Sequence, residues 1–141
     1  MSRASLERFV TAQAPVFEQV RRELAAGSKR THWMWFVFPQ LRGLGRSPTA
    51  LFYGLAGIEE ARAYLVHPVL GPRLLECTSL VNRVAGRTAH QIFGDPDDMK
   101  FRSCMTLFRA RQKEPFEAAL QKYYEGKPDP LTLELLDPGA T

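Results

Sequence analysis

An acidic and a basic residue, Asp97 and Lys100, lie three positions apart in a segment with the pattern of a helix. Residues three apart on a helix are neighbours on one face, so the pair forms a single row with Ser103. A carboxylate, an ammonium and a hydroxyl at the edge of a core can hold a ligand and transfer protons. We therefore predict Asp97 and Lys100 as catalytic residues and Ser103 as a ligand contact. The alternative is an ordinary ion pair on a helix surface.

The most aromatic stretch of the chain, residues 32–41, has the composition of a pocket wall. It holds both tryptophans and two of the nine phenylalanines, together with a histidine and a glutamine. Ligand pockets combine aromatic side chains with a few polar groups, and flat rings stack on aromatic faces. The alternative is that most of these rings form the core, because dense apolar runs are usually buried. The predicted ligand contacts in and after this stretch are His32, Trp33, Trp35, Phe38, Gln40 and Tyr53.

A glycine turn, Gly43-Leu44-Gly45, follows the aromatic stretch and leads into Ser47 and a predicted helix start. A glycine turn that leads into a helix is a natural site for an anion. We therefore add Gly43, Gly45 and Ser47 to the predicted ligand contacts. The basic side chains expected to contact the same anion are Lys29, Arg42 and Arg46. The alternative is a plain turn without a ligand.

The distribution of charge supports an anionic ligand. The chain has a net charge of +4, but residues 1–46 alone hold eight Arg or Lys residues against three Glu, a charge of +5. An excess of positive charge beside a pocket attracts phosphate groups or nucleic acid. The alternative is a basic surface that only contacts solvent.

The remaining patterns predict the fold. We expect residues 1–141 to form one compact, mainly α domain of about six to seven helices, with an aromatic segment at 32–41 that is either extended or helical. Apolar residues recur every three or four positions from Leu70 to Val84, which is typical of an amphipathic helix. Residues 137–141 are predicted to fray.

The sequence also predicts a compartment and excludes some chemistry. No apolar run reaches the roughly 18–20 residues that cross a membrane, and the first eleven residues lack a signal-peptide pattern. Two cysteines in helical patterns favour reduced thiols, so we expect a cytoplasmic protein. The three histidines show no metal-ligand spacing, and we predict neither metal nor cofactor. The oligomeric state is left open.

Several short motifs together resemble a known family. They include residues 12–13, 27–29, 32–41, 43–47, 63–68, 70–74, 92–94 and the row of Asp97, Lys100 and Ser103. Over residues 6–136 the chain is similar to the bacterial domain of unknown function family eighteen-ten, whose members are sometimes mislabelled calpastatin. Inhibitors of the calpastatin kind are disordered, whereas this composition is that of a globular domain. The resemblance implies a small, mainly helical cytoplasmic protein.

The second half of the chain is more distantly similar to the NADAR superfamily, which acts on ADP-ribose-type N-glycosides. The similarity lies in an acid, Lys100 and Met105 on one helix, and in Phe116 and Leu120 on the next. NADAR glycosidases also carry a glutamate-bearing helix with a nearby tyrosine. Here the candidate helix after Ser47 has a tyrosine but no glutamate before it.

These observations predict that the protein binds an N-glycoside, either ADP-ribose-like or a phosphorylated nucleoside, and hydrolyses it. The hydrolytic water needs a carboxylate to activate it; Asp97 is the candidate, and Glu59, Glu60 and Glu76 are the alternatives. A non-catalytic module that binds nucleic acid or a protein is the other interpretation. In that case the basic first third of the chain would be the contact surface.

Overall fold

The computed structural model describes residues 3–137, which form one mainly helical domain without a β-strand in that range. No helix in this part of the chain is long and apolar enough to cross a membrane. The tail predicted to fray lies outside the described residues, except for Asp137. The ten helices are α1 (Arg3–Gln13), α2 (Phe17–Ala25), α3 (Met34–Val37), α4 (Pro48–Tyr53), α5 (Ile58–Val66), α6 (Leu70–Asn82), α7 (Ala89–Phe93), α8 (Asp97–Arg109), α9 (Phe116–Tyr124) and α10 (Pro130–Leu136).

The predicted number of six to seven helices is wrong. Four of the helices, α3, α4, α7 and α10, have only four to seven residues. One helical turn carries almost no periodicity, and its formation depends on contacts outside the segment. The longer pattern from Leu70 to Val84 is confirmed as α6 and the residues just after it.

The central helix of the fold is α8. Asp97 and Asp98 occupy its first turn and Arg109 its last, which is the arrangement that the helix dipole favours. All six residues from Ser103 to Phe108 are buried, and α8 packs against α5, α7, α9 and α10. The row of polar residues near its N-terminus therefore runs from the surface into the core.

The middle of the aromatic stretch, Met34–Val37, forms the single helical turn α3, so the extended alternative is wrong for these residues. Met34 and Val37 in α3 point into the core, as does Phe38, whose ring meets Phe101 edge to face at a centroid distance of 5.0 Å. Successive side chains on a helical turn are about 100° apart. Trp35, between Met34 and Val37, consequently points away from the core and is half-buried.

A buried carboxylate, Glu23, fixes the loop that follows α2. It accepts hydrogen bonds from the main-chain N–H groups of Arg30 (2.7 Å) and Thr31 (3.1 Å), from the hydroxyl of Thr31 and from the indole N–H of Trp33 (2.9 Å). Burial by itself raises the pKa of Glu23, but these hydrogen bonds, together with one from the side-chain amide of Gln19 (2.9 Å), outweigh it and lower the pKa to about 2. The carboxylate thereby places Trp33, while the main-chain N–H of Lys29 donates to the carbonyl of Ile92 (2.7 Å).

This pKa predicts a loss of stability in acid. A carboxylate with a lowered folded-state pKa stabilises the fold above its unfolded-state pKa, and that contribution disappears as the pH falls through the folded-state pKa. For Glu23 the window runs from its ordinary value of 4.5 down to about 2. We expect the urea midpoint of the wild type to fall across this window, and that of Glu23→Gln to fall less. If the urea midpoints of the wild type and of Glu23→Gln fell equally with pH across this window, the lowered pKa of Glu23 would be contradicted.

The loop between α3 and α4 is tied to the segment after α4. The main-chain N–H of Arg42 donates to the carbonyl of Leu55 (2.8 Å), and the N–H of Leu55 donates to the carbonyl of Gln40 (3.0 Å). The hydroxyl oxygen of Ser47 accepts from the N–H of Ala50 (3.1 Å) and caps α4. This loop is therefore held at both ends, beside the N-terminal part of α8.

Candidate functional site

A cleft of about 460 Å³ opens between the loop before α4, the first turns of α8 and the start of α10. Its lining mixes an aromatic ring and apolar side chains with charged and amide groups, which is the usual composition of a ligand site. The structure brings together seven of the fifteen predicted site residues on this lining: Trp35, Gln40, Gly45, Arg46, Ser47, Lys100 and Ser103.

The other eight predicted residues do not line the cleft: Lys29, His32, Trp33, Phe38, Arg42, Gly43, Tyr53 and Asp97. Trp33 and Phe38 are each 1% exposed, so both rings belong to the core. His32 is exposed, and Tyr53 packs against Phe9 at a centroid distance of 5.7 Å. Gly43 lies in a turn with a φ of +109°. The pocket wall predicted for the aromatic stretch is thus reduced to Trp35 and Gln40.

Lys29 and Asp97 lie directly behind Lys100. Asp97 Oδ2 is 2.9 Å from Lys29 Nζ, and Asp97 Oδ1 is 3.7 Å from Lys100 Nζ. Each ammonium also lies over an indole ring, Lys29 over Trp33 at 5.1 Å and Lys100 over Trp35 at 4.5 Å. Such contacts between a cation and an aromatic face are attractive. Asp97 therefore orients Lys100 towards the cleft, and the three groups together keep a charge of +1.

Asp129 also lines the cleft, and sequence reasoning missed it as a site residue. It is 7% exposed and caps α10. Its Oδ2 accepts from the main-chain N–H of Thr132 (3.1 Å), from the hydroxyl of Thr132 and from Ser103 Oγ (3.0 Å). An Asp before a proline, with a threonine three positions later, is a signal for a helix cap. The contact with Ser103 has no signal in the local sequence.

Most basic residues of the first third contact the protein itself. Arg8 donates to the carbonyl of Phe52 (2.8 Å), and Arg21 donates to the carboxylate of Glu76 (2.6 Å). Five of the eight cations counted in the sequence make such contacts: Arg8, Arg21, Arg22, Lys29 and Arg42. Three of these cations, Arg8, Arg21 and Lys29, pair with carboxylates, and these pairs reduce the net positive charge that an open nucleic-acid surface would need. Arg46, by contrast, lines the cleft.

The two cysteines offer no nucleophile. Both are free and buried. Burial raises the pKa of the Cys77 thiol to about 12 and that of Cys104 well above its ordinary value, and it is the thiolate that reacts. Across residues 3–137, no group of three or more His, Cys, Asp or Glu side chains is placed to hold a metal ion.

Comparison with known proteins places this fold in a family. The structure is similar to the crystal structure, at 1.38 Å, of the conserved hypothetical protein Rv1873 from Mycobacterium tuberculosis, with 59% sequence identity and a TM-score of 0.92. The match covers 93% of this chain and 95% of that chain. A search of the curated proteins found no match. The model of a family described as protein of unknown function, DUF1810, matches residues 3–136. The chain therefore belongs to the DUF1810 family, as its motifs predicted.

Proposed function

We propose that the cleft binds a phosphorylated nucleoside or an ADP-ribose-like molecule and hydrolyses its N-glycosidic bond. The main support is a set of polar groups on the cleft residues that have no hydrogen-bond or ion-pair partner within residues 3–137. They are the indole N–H of Trp35, the side-chain amide of Gln40, the guanidinium of Arg46 and Oδ1 of Asp129. Polar groups that converge on one cleft without protein partners are what a ligand needs for its own hydrogen bonds.

The charges and the aromatic ring of the cleft favour this ligand class. Lys100 and Arg46 line the same cleft, and their charge-assisted hydrogen bonds suit a phosphate. Trp35 offers a surface on which a base can stack, worth about 1–3 kcal/mol. Gly45 lets the loop pack closely against α4, because a Cβ at that position would lie 2.8 Å from the Cβ of Ala50.

In the proposed reaction the oxygen of a water molecule bonds to the anomeric carbon. The bond from that carbon to nitrogen breaks, and a proton passes to the nitrogen. A carboxylate activates the water or stabilises the positive charge that develops on the sugar, and Asp129 supplies the carboxylate on the cleft lining. Asp97 contacts Lys100 and lies outside the lining, so we assign it as a positioning residue that acts through Lys100. The choice of an N-glycosidic bond as the bond that breaks rests on the distant resemblance to NADAR glycosidases.

Calorimetry with ADP-ribose tests the binding. We expect the wild type to bind, and we expect Trp35→Ala and Lys100→Ala each to weaken the affinity about ten- to a hundredfold, since each variant loses one stacking or charge-assisted contact. Trp35→Phe keeps a flat ring and should lose less. Thermal denaturation of each variant checks that the fold is kept.

Lys113→Ala is the matched control for Lys100→Ala. Lys113 is exposed and follows the far end of α8, so its removal changes the net charge equally without touching the cleft. Its affinity should equal that of the wild type. If the wild type binds neither ADP-ribose nor a nucleoside phosphate at millimolar concentration, the proposed function is wrong. Tight, salt-sensitive binding of an oligonucleotide would support a nucleic-acid module instead.

A further inference from the structure

We infer that Asp129 makes the cleft selective for ligands with free ribose hydroxyls; this inference rests on the proposed function. Asp129 is a buried residue that lines the cleft. Its Oδ2 accepts three hydrogen bonds from Ser103 and Thr132, which fix the orientation of the carboxylate. Oδ1 has no hydrogen-bond donor within the described part of the chain. One oxygen is therefore held by the protein, and the other is left for a ligand.

The chemistry of a carboxylate oxygen limits what can bind there. An ionised carboxylate only accepts hydrogen bonds, so the ligand atom that meets Asp129 must carry a proton. A phosphate oxygen would be repelled by the carboxylate and attracted by Lys100 and Arg46, which also line the cleft. The cleft thus separates a position for a hydroxyl from a position for an anion.

The two positions are close enough for one sugar phosphate. Lys100 and Ser103 are three residues apart on α8, and Asp129 is 3.0 Å from the hydroxyl of Ser103. Because an α-helix rises about 1.5 Å per residue, the Cα atoms of Lys100 and Ser103 are about 4.5 Å apart along the axis of α8. A ribose 5-phosphate carries its 2- and 3-hydroxyls on one face of the ring and its phosphorylated C5 on the other. We place its hydroxyls at Asp129 and its phosphate at Lys100.

Comparing the affinities of the wild-type protein for a ribonucleotide and for the same nucleotide without the 2′- and 3′-hydroxyls tests this inference. The probes are adenosine 5′-monophosphate and 2′,3′-dideoxyadenosine 5′-monophosphate, which differ only in the two hydroxyls. We expect the wild type to bind the ribonucleotide about tenfold or more tightly, as one hydrogen bond to a charged group predicts. If both bind equally, the inference is wrong and the proposed function stands. If neither these probes nor ADP-ribose bind, the proposed function fails and the inference fails with it.

Asp129→Asn then assigns the selectivity to this residue. Asn is as good a helix cap as Asp, and its carbonyl oxygen can accept the hydrogen bonds from Thr132 and Ser103. Its NH2 group replaces Oδ1 in the cleft, so an acceptor becomes a donor. We expect the preference for the ribonucleotide to fall below about twofold while the melting temperature changes little.

Two further variants complete the test. Asp129→Ser also caps a helix but does not reach the cleft, and it should lose the preference as Asp129→Asn does. Asp137→Asn is the matched control, because Asp137 is exposed at the other end of α10, and it should keep the wild-type preference. An unchanged preference in folded Asp129→Asn or Asp129→Ser would overturn the inference.

Discussion

Replacing Glu23 with alanine is expected to lower the free energy of unfolding by about 3–5 kcal/mol. The carboxylate accepts hydrogen bonds from four donors on the following loop, among them the buried indole N–H of Trp33. Alanine leaves these donors without a partner, and water cannot reach Trp33, which is 1% exposed. Urea denaturation, followed by tryptophan fluorescence and circular dichroism, measures the change.

Glu18→Ala is the matched control for this variant. Glu18 lies on the same helix, α2, with its side chain 73% exposed, and pairs with the exposed Arg21. Exposed ion pairs contribute little, so its loss should change the free energy of unfolding by no more than about 0.5 kcal/mol. Equal stability of Glu23→Ala and Glu18→Ala would show that Glu23 does not anchor the loop.

Long periodic segments and helix starts with a capping residue, such as Ser47 before α4, could be predicted from sequence, whereas the single turn α3 could not. The spacing from Leu70 to Val84 repeats over four turns, and a helix is the structure that buries all of these positions together. The stretch around Trp33 and Trp35 spans only one turn. Its backbone depends on Glu23, ten residues before Trp33 in the chain, through a tertiary hydrogen bond.

The same limit applies to the site. The row of Lys100 and Ser103 follows from helical spacing, and both residues line the cleft. The buried position of Trp33 does not follow from spacing, because an acceptor in another helix, Glu23, fixes its indole. Asp129 is recognisable as a helix cap, but its place in the cleft depends on Ser103, 26 residues away. Tertiary contacts of this kind leave no local pattern.

Replacing Asp97 with alanine is expected to lower the free energy of unfolding by about 3 kcal/mol or more. The side chain of Lys29 is only 7% exposed, and its ammonium is 2.9 Å from the Asp97 carboxylate. Alanine leaves that ammonium buried without its counter-charge. Lys100, whose side chain is 22% exposed, can reach solvent and adds little to this cost. Differential scanning calorimetry and urea denaturation measure the loss.

A second substitution separates structure from chemistry at Asp97. Lys29→Met combined with Asp97→Leu replaces the buried pair by apolar groups of similar size, which often costs little or no stability, so the double variant should regain most of the loss. The free energy of unfolding of Asp95→Ala, at an exposed carboxylate just before α8, should stay within about 0.5 kcal/mol of that of the wild type.

In the stable double variant Lys100 has lost the carboxylate that orients it, and we expect weaker binding of ADP-ribose. Full stability of Asp97→Ala with complete loss of ligand binding would instead show that Asp97 contacts the ligand itself.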